Sequence, residues 1–147
     1  MKKLLSIMAL ALFAITPQAI ADTHEGKAMM EKKMEAPATT AVAFHADWCG
    51  GCKILGSKME EVMNNLDDET KAKFKMVKFD FTDDTTKASS KKTAMDKGLS
   101  SLYPEDKPAT GVLKLVDNAS GAVLAKIHYK MSVEEITGVI KGVTSRA

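Results

Sequence analysis

The stretch Phe44-His45-Ala46-Asp47-Trp48-Cys49-Gly50-Gly51-Cys52-Lys53 constrains this chain more than any other. Ahead of its cysteines, Thr39 to Ala46 is an apolar run of strand length. Ala41, Ala43 and His45 fall on one face and Val42, Phe44 and Ala46 on the other, as in a strand covered on both sides. Behind the motif, Ile54, Leu55, Met59, Val62, Met63 and Leu66 recur at three- and four-residue intervals. That stripe predicts a core-facing helix from near Cys49 to Asn64-Asn65 or just beyond. The only two cysteines therefore stand three apart at a strand-to-helix junction, directly behind the only tryptophan. A Cys-x-x-Cys pair in that place is the sequence form of a dithiol/disulfide redox centre.

The remaining elements follow in order. Lys73 to Thr82 alternates apolar and polar residues through Phe74, Met76, Val77, Phe79 and Phe81, a second strand. A polar segment from Asp83 to Lys97 reads as a helix, and Gly98 with Tyr103 to Pro108 as a turn-rich stretch. Thr110 to Val116 and Ala122 to Tyr129 are short apolar runs around Asp117-Asn118-Ala119-Ser120-Gly121, which predicts a β-hairpin. Ser132 with Glu135 three residues on marks the start of a last helix, whose core face is Ile136, Val139, Ile140 and Val143. The order is β-α-β-α-β-β-α. Its first three elements make a right-handed crossover with parallel strands, and the hairpin adds two antiparallel ones.

The N-terminus reads as an export signal. Met1-Lys2-Lys3 is a positive start, Leu4 to Ile15 an apolar core, and Ala19-Ile20-Ala21 a cleavage site, so a signal peptide over 1–21 would be removed after Ala21. The apolar core is too short to span a membrane, and no later stretch is apolar for long enough. No cysteine at the cleavage point offers a lipid anchor. The formal charge of +2 becomes zero once Lys2 and Lys3 leave, which gives no reason to expect a nucleic-acid or acidic-membrane partner. Residues 22–38 read as a flexible Met-, Lys- and Glu-rich tether, and 39–147 as one domain. Export to an oxidising compartment would suit a structural staple. A bridge from position i to i+3, however, closes a tiny loop and constrains little.

A thiol attacks a disulfide only as thiolate. At the first turn of a helix, Cys49 faces unpaired backbone N–H groups and the positive end of the macrodipole, both of which favour S⁻. Cys52, one turn on and deeper, is placed to resolve the mixed disulfide, so Cys49 is the nucleophile and Cys52 the resolving thiol. A zinc site would need two more ligands. A second cysteine pair is absent, and His24, His45 and His128 show no paired-ligand spacing. Trp48 either shapes the surface that a partner meets or packs in the core.

The string Ala46-Asp47-Trp48-Cys49-Gly50-Gly51-Cys52-Lys53, with this element order, resembles the active-site signature of the thioredoxin-like family. The resemblance covers roughly Thr39 to Thr144. It implies an α/β thioredoxin-like fold, a central mixed four-stranded sheet flanked by helices, and a thiol–disulfide oxidoreductase with protein dithiols or disulfides and a redox partner protein as its partners. It implies no metal or organic cofactor and a monomer. The family places a cis-proline before the hairpin, facing the cysteines; Pro108 is the match, with Pro104 as fallback. The family's buried acid on the preceding strand is replaced by Ala43. His45, on the same face, would tune the dithiol or relay a proton if it does more than pack. Lys107, if it reached the site, would favour the Cys49 thiolate; otherwise it is a solvated loop lysine. The string is also similar to that of the periplasmic domain of the reductive disulfide transporter DsbD, which favours a periplasmic, reductive or electron-relay role. Two other readings stand beside it. One is a Cu(I) carrier using the cysteine pair with Met29, Met30, Met34 and His24. The other is a non-catalytic adaptor on the same fold.

Overall fold

The computed structural model describes residues 37–106 and 108–146. The export signal, its cleavage point, His24, Met29, Met30, Met34 and Lys107 lie outside the described residues.

The apolar run before the cysteines is strand β1 (Thr39–His45), and the run after the first helix is β2 (Phe74–Asp80). The two pair in parallel with Ala43 opposite Lys78 and His45 opposite Asp80. The hairpin strands β3 (Val112–Asp117) and β4 (Val123–His128) complete the sheet, β3 running antiparallel to β1 and β4 antiparallel to β3. The order β2-β1-β3-β4 puts β1 inside the sheet, which is why it reads as apolar on both faces. A mixed four-stranded sheet is the predicted class.

Helices α1 (Gly50–Asn65) and α4 (Val133–Thr144) cover one face. Leu55, Met59 and Val62 of α1 and Ile136 and Ile140 of α4 meet Ala41, Leu113, Leu115 and Ile127 of the sheet in one buried cluster. The opposite face carries α3 (Asp84–Asp96) and a 3₁₀ turn at Ser100–Leu102. Here Val42, Phe44, Val77, Phe79 and Phe81 pack against Ala94 and Leu99, with Tyr103 closing the edge. Little of α3 is apolar, since Ser90 and Ala94 are its buried residues. Ser90 Oγ accepts the Asp80 N–H at 2.7 Å and donates to the Asp80 carbonyl at 3.1 Å, so a buried hydroxyl ties α3 to the end of β2.

The structure adds a short helix, α2 (Asp68–Ala72), capped by Asp67, whose carboxylate accepts the Thr70 N–H at 2.7 Å. It buries no residue and so leaves no apolar stripe to read. Strand β3 begins at Val112 rather than Thr110, because Gly111 has φ of +74°, outside the extended region. Strand β2 stops at Asp80, where its carboxylate accepts the Thr82 N–H and turns the chain. The predicted cap of α4 forms in full: Ser132 Oγ accepts the Glu135 N–H at 3.2 Å and Glu135 accepts the Ser132 N–H at 2.7 Å. Ser132→Ala is expected to cost about 1 kcal/mol, read as a lower denaturant midpoint with unchanged slope. Among the described residues no helix is long and apolar enough to cross a membrane.

Candidate active site

Because β1 ends at His45 and α1 begins at Gly50, the intervening turn delivers Cys49 to the N-cap of α1, with extended dihedrals of −88° and 105°. Its sulfur accepts the Cys52 N–H at 3.1 Å. A cap that is serine, threonine or aspartate in most helices is here a thiol, and the first turn of α1 holds no acidic side chain to oppose a thiolate. The two cysteines, Cα atoms 5.2 Å apart, are joined as a disulfide. They differ in access: Cys49 is half-buried, whereas Cys52 is only 6% exposed. Cys52 Sγ lies 3.7 Å from the Phe44 carbonyl oxygen, which also accepts the Gly111 N–H at 2.9 Å.

A loop residue set against the pair is Gly111. A Cβ on Gly111 would stand 3.4 Å from the Gly51 carbonyl carbon and 3.5 Å from the Cys52 nitrogen. Pro108 lies four residues before β3, so it does not directly precede the strand as expected. Among the described residues no peptide bond is cis, which removes Pro104 as a cis fallback; the Lys107–Pro108 bond involves a residue outside them. Only a residue that tolerates positive φ fits the chain reversal at this point.

Trp48 is 65% exposed, so its ring faces solvent and not the core. Ile54, one turn along α1, and Tyr129, just after β4, are also exposed apolar surface. Tyr129 packs on Gly51: a Cβ there would meet its ring at 2.8 to 3.1 Å. Lys58 on α1 holds this loop, donating to the Tyr129 carbonyl at 2.9 Å and the Met131 carbonyl at 2.7 Å. Gly111 and Tyr129 were not legible as site residues, since their contacts with the motif span more than fifty residues of chain, and neither was Lys58, whose partners Tyr129 and Met131 lie more than seventy residues on. The one available signal was a glycine immediately before the hairpin.

A cavity of about 170 Å³ lies under Cys52, and Ala43, His45, Lys78 and Gly111 are among its walls. Among the described residues no carboxylate lines it. His45, half-buried, pairs through Nε2 with Asp47 Oδ1 at 3.1 Å. Asp80, opposite His45 in the sheet, is held below the usual carboxylate range: burial pushes it up, but hydrogen bonds from Thr82 and Lys78 more than offset that. Among the described residues, His45, Asp47 and Asp80 bring one ligand atom each within 4.8 Å of the others. The Asp80 oxygens are already engaged by Thr82 and by Lys78 Nζ at 3.1 Å, and an ammonium there opposes a bound cation.

Residues 23–96, half of the chain, match the family model described as Thioredoxin. The chain belongs to the thioredoxin family. Among relatives, it is 34% identical over 62 residues to "Thioredoxin, mitochondrial" of Bos taurus, covering 42% of this chain and 35% of that protein. It is 44% identical over 34 residues to "Probable thioredoxin-2" of Caenorhabditis elegans, covering 23% of each. The chain thus spans about a third or less of the curated relatives it matches. Among solved structures, it is similar to Trxlp from Edwardsiella tarda EIB202, with 16% identity, a TM-score of 0.47 and coverage of 73% of this chain and 85% of that one. It is also similar to the disulphide isomerase from Xylella fastidiosa Temecula1, with 18% identity, a TM-score of 0.44 and coverage of 72% and 78%. Within this thioredoxin-family chain, Cys49 and Cys52 form a pair that closes into a disulfide.

Proposed function

We propose that the chain is an exported thiol–disulfide oxidoreductase that exchanges two electrons with protein disulfides in the periplasm, in a reductive or electron-relay role. The observation that carries the chemistry is the Cys49 sulfur at the cap of α1, receiving the Cys52 N–H at 3.1 Å while Cys52 stays buried. In the reductive direction, the Cys49 thiolate attacks one sulfur of a substrate disulfide, forming a mixed disulfide and releasing the other sulfur as thiolate, which takes up a proton. Cys52 then loses its proton and attacks Cys49 Sγ. That step breaks the mixed disulfide, frees the second substrate thiol and leaves Cys49–Cys52 oxidised. A redox partner protein returns the pair to the dithiol. A protein substrate suits the exposed apolar side chains of Trp48, Ile54 and Tyr129 around the motif. Met1-Lys2-Lys3, the apolar run after it and Ala19-Ile20-Ala21 support export, and the likeness of the motif to that of the DsbD periplasmic domain supports the reductive direction.

The test uses protein recovered from the periplasmic fraction of cells expressing the full chain. Its N-terminal residue is expected to be Asp22, and its reduction potential to lie near that of thioredoxin, about −270 mV. A potential near about −120 mV would reverse the direction. Retention of Met1 in a cytosolic pool would refute export.

A further inference from the structure

Gly51 has no unusual backbone dihedral to explain it, and the space beside it is filled by another residue. The Tyr129 ring stands where a Gly51 side chain would begin, with Cδ1 at 2.8 Å and Cγ and Cε1 at 3.1 Å from that point. The same Cδ1 lies 3.5 Å from where a Gly111 Cβ would stand. One ring thus packs over two glycines, one between the cysteines and one in the facing loop. Cγ is the ring atom next to the main chain, so the ring cannot yield by tilting its far edge. It would have to turn about χ1, on a backbone pinned to α1 by the two Lys58 hydrogen bonds. The Gly51–Cys52 peptide behind the ring carries the N–H that donates to Cys49 Sγ.

We propose that Tyr129 is a positioning residue for the dithiol: its ring holds the Gly51–Cys52 peptide so that the Cys52 N–H points at the Cys49 sulfur, and Gly51 is glycine to admit it. This rests on the dithiol chemistry proposed above and names what tunes it. The atoms in the contact are ring carbons, so Tyr129→Phe should keep the parent's thiolate titration. The charged and titratable groups on the elements that meet here are Asp47 and His45 before the pair, Lys53, Lys58, Glu60 and Glu61 on α1, Lys126 and His128 on β4, and Lys130 beside the ring. Each is kept in the variants below, so a change reports the ring.

The experiment is the rate of Cys49 alkylation by iodoacetamide across pH in the reduced full chain, for the parent, Tyr129→Phe, Tyr129→Ala, Gly51→Ala and the Gly51→Ala/Tyr129→Ala double variant. Tyr129→Ala is expected to move the thiolate titration upward and slow alkylation at neutral pH about tenfold, the loss expected when a charge-assisted hydrogen bond is misaligned. Gly51→Ala should do the same in the parent, yet change the rate less than about twofold in the Tyr129→Ala background, because the two substitutions remove one shared contact. If Tyr129→Ala does not fold, Tyr129→Leu, which keeps apolar bulk without a flat ring, carries the same expectation. A titration unchanged from the parent in the ring-deleted variant, or an equal Gly51→Ala penalty in both backgrounds, would overturn the proposal. Parent protein that alkylates as expected but exchanges with no disulfide would refute the oxidoreductase reading instead, and the titration would still decide this one.

Discussion

Cys49→Ser is expected to lower disulfide-exchange turnover at least about 1000-fold, because the nucleophile itself is gone and no second thiol is as accessible. The fold should survive. Serine is a preferred N-cap, and its hydroxyl can accept the Cys52 N–H that the sulfur accepts now. Loss of activity with an unchanged denaturation midpoint therefore separates chemistry from folding. Cys52→Ser should behave differently. The first attack remains, the second cannot occur, and the mixed disulfide with substrate accumulates. The serine hydroxyl would sit in the buried place of the thiol, where the Phe44 carbonyl is available as acceptor.

The second large effect lies in the aromatic cluster on the α3 side of the sheet. Phe79 is fully buried, and its ring meets Phe44 edge-on with centroids 5.7 Å apart and Tyr103 at 5.7 Å. Phe81 stacks on Phe44 at 6.2 Å and leans on Tyr103 at 5.5 Å, so four rings share one contact network. Tyr103 in turn donates its hydroxyl to the Lys87 carbonyl at 3.0 Å, fastening the network to α3. Little else holds that helix, whose buried residues are Ser90 and Ala94. Phe79→Ala is expected to cost about 3–5 kcal/mol in urea unfolding, from lost burial and the cavity left behind. Met95→Ala, at a side chain 58% exposed on the same helix, should change stability by less than about 0.5 kcal/mol.

What could be read in the chain before its structure follows from where each signal is stored. Periodicity is local, so β1, α1 and α4 were legible almost to the residue, and the Ser132–Glu135 cap was visible as a spacing. Thr39 to Ala46 announced a strand buried on both faces, and Val42 and Ala41 indeed fall in different clusters. The α2 helix was hidden because a single turn that buries no residue is specified by its cap and not by an apolar face. The cysteine pair was legible because a reactive dithiol needs only two cysteines three positions apart and a helix start. Its surroundings are assembled from distant chain. Gly111 and Tyr129 reach the motif through sheet pairing, and nothing in their own neighbourhoods records that contact. Pro108 was expected on resemblance to stand directly before the hairpin; the residue directly before β3 is Gly111, whose positive φ reverses the chain by backbone freedom.

The division of labour between the two cysteines is the central claim, and trapping tests it most directly. Cys52→Ser and Cys49→Ser, each incubated with a protein disulfide and examined by mass spectrometry, should differ completely. A mixed disulfide on Cys49 should build up in the first, and none on the timescale of exchange in the second. Adducts forming at comparable rates on Cys52 in Cys49→Ser, or none in either variant, would contradict the account.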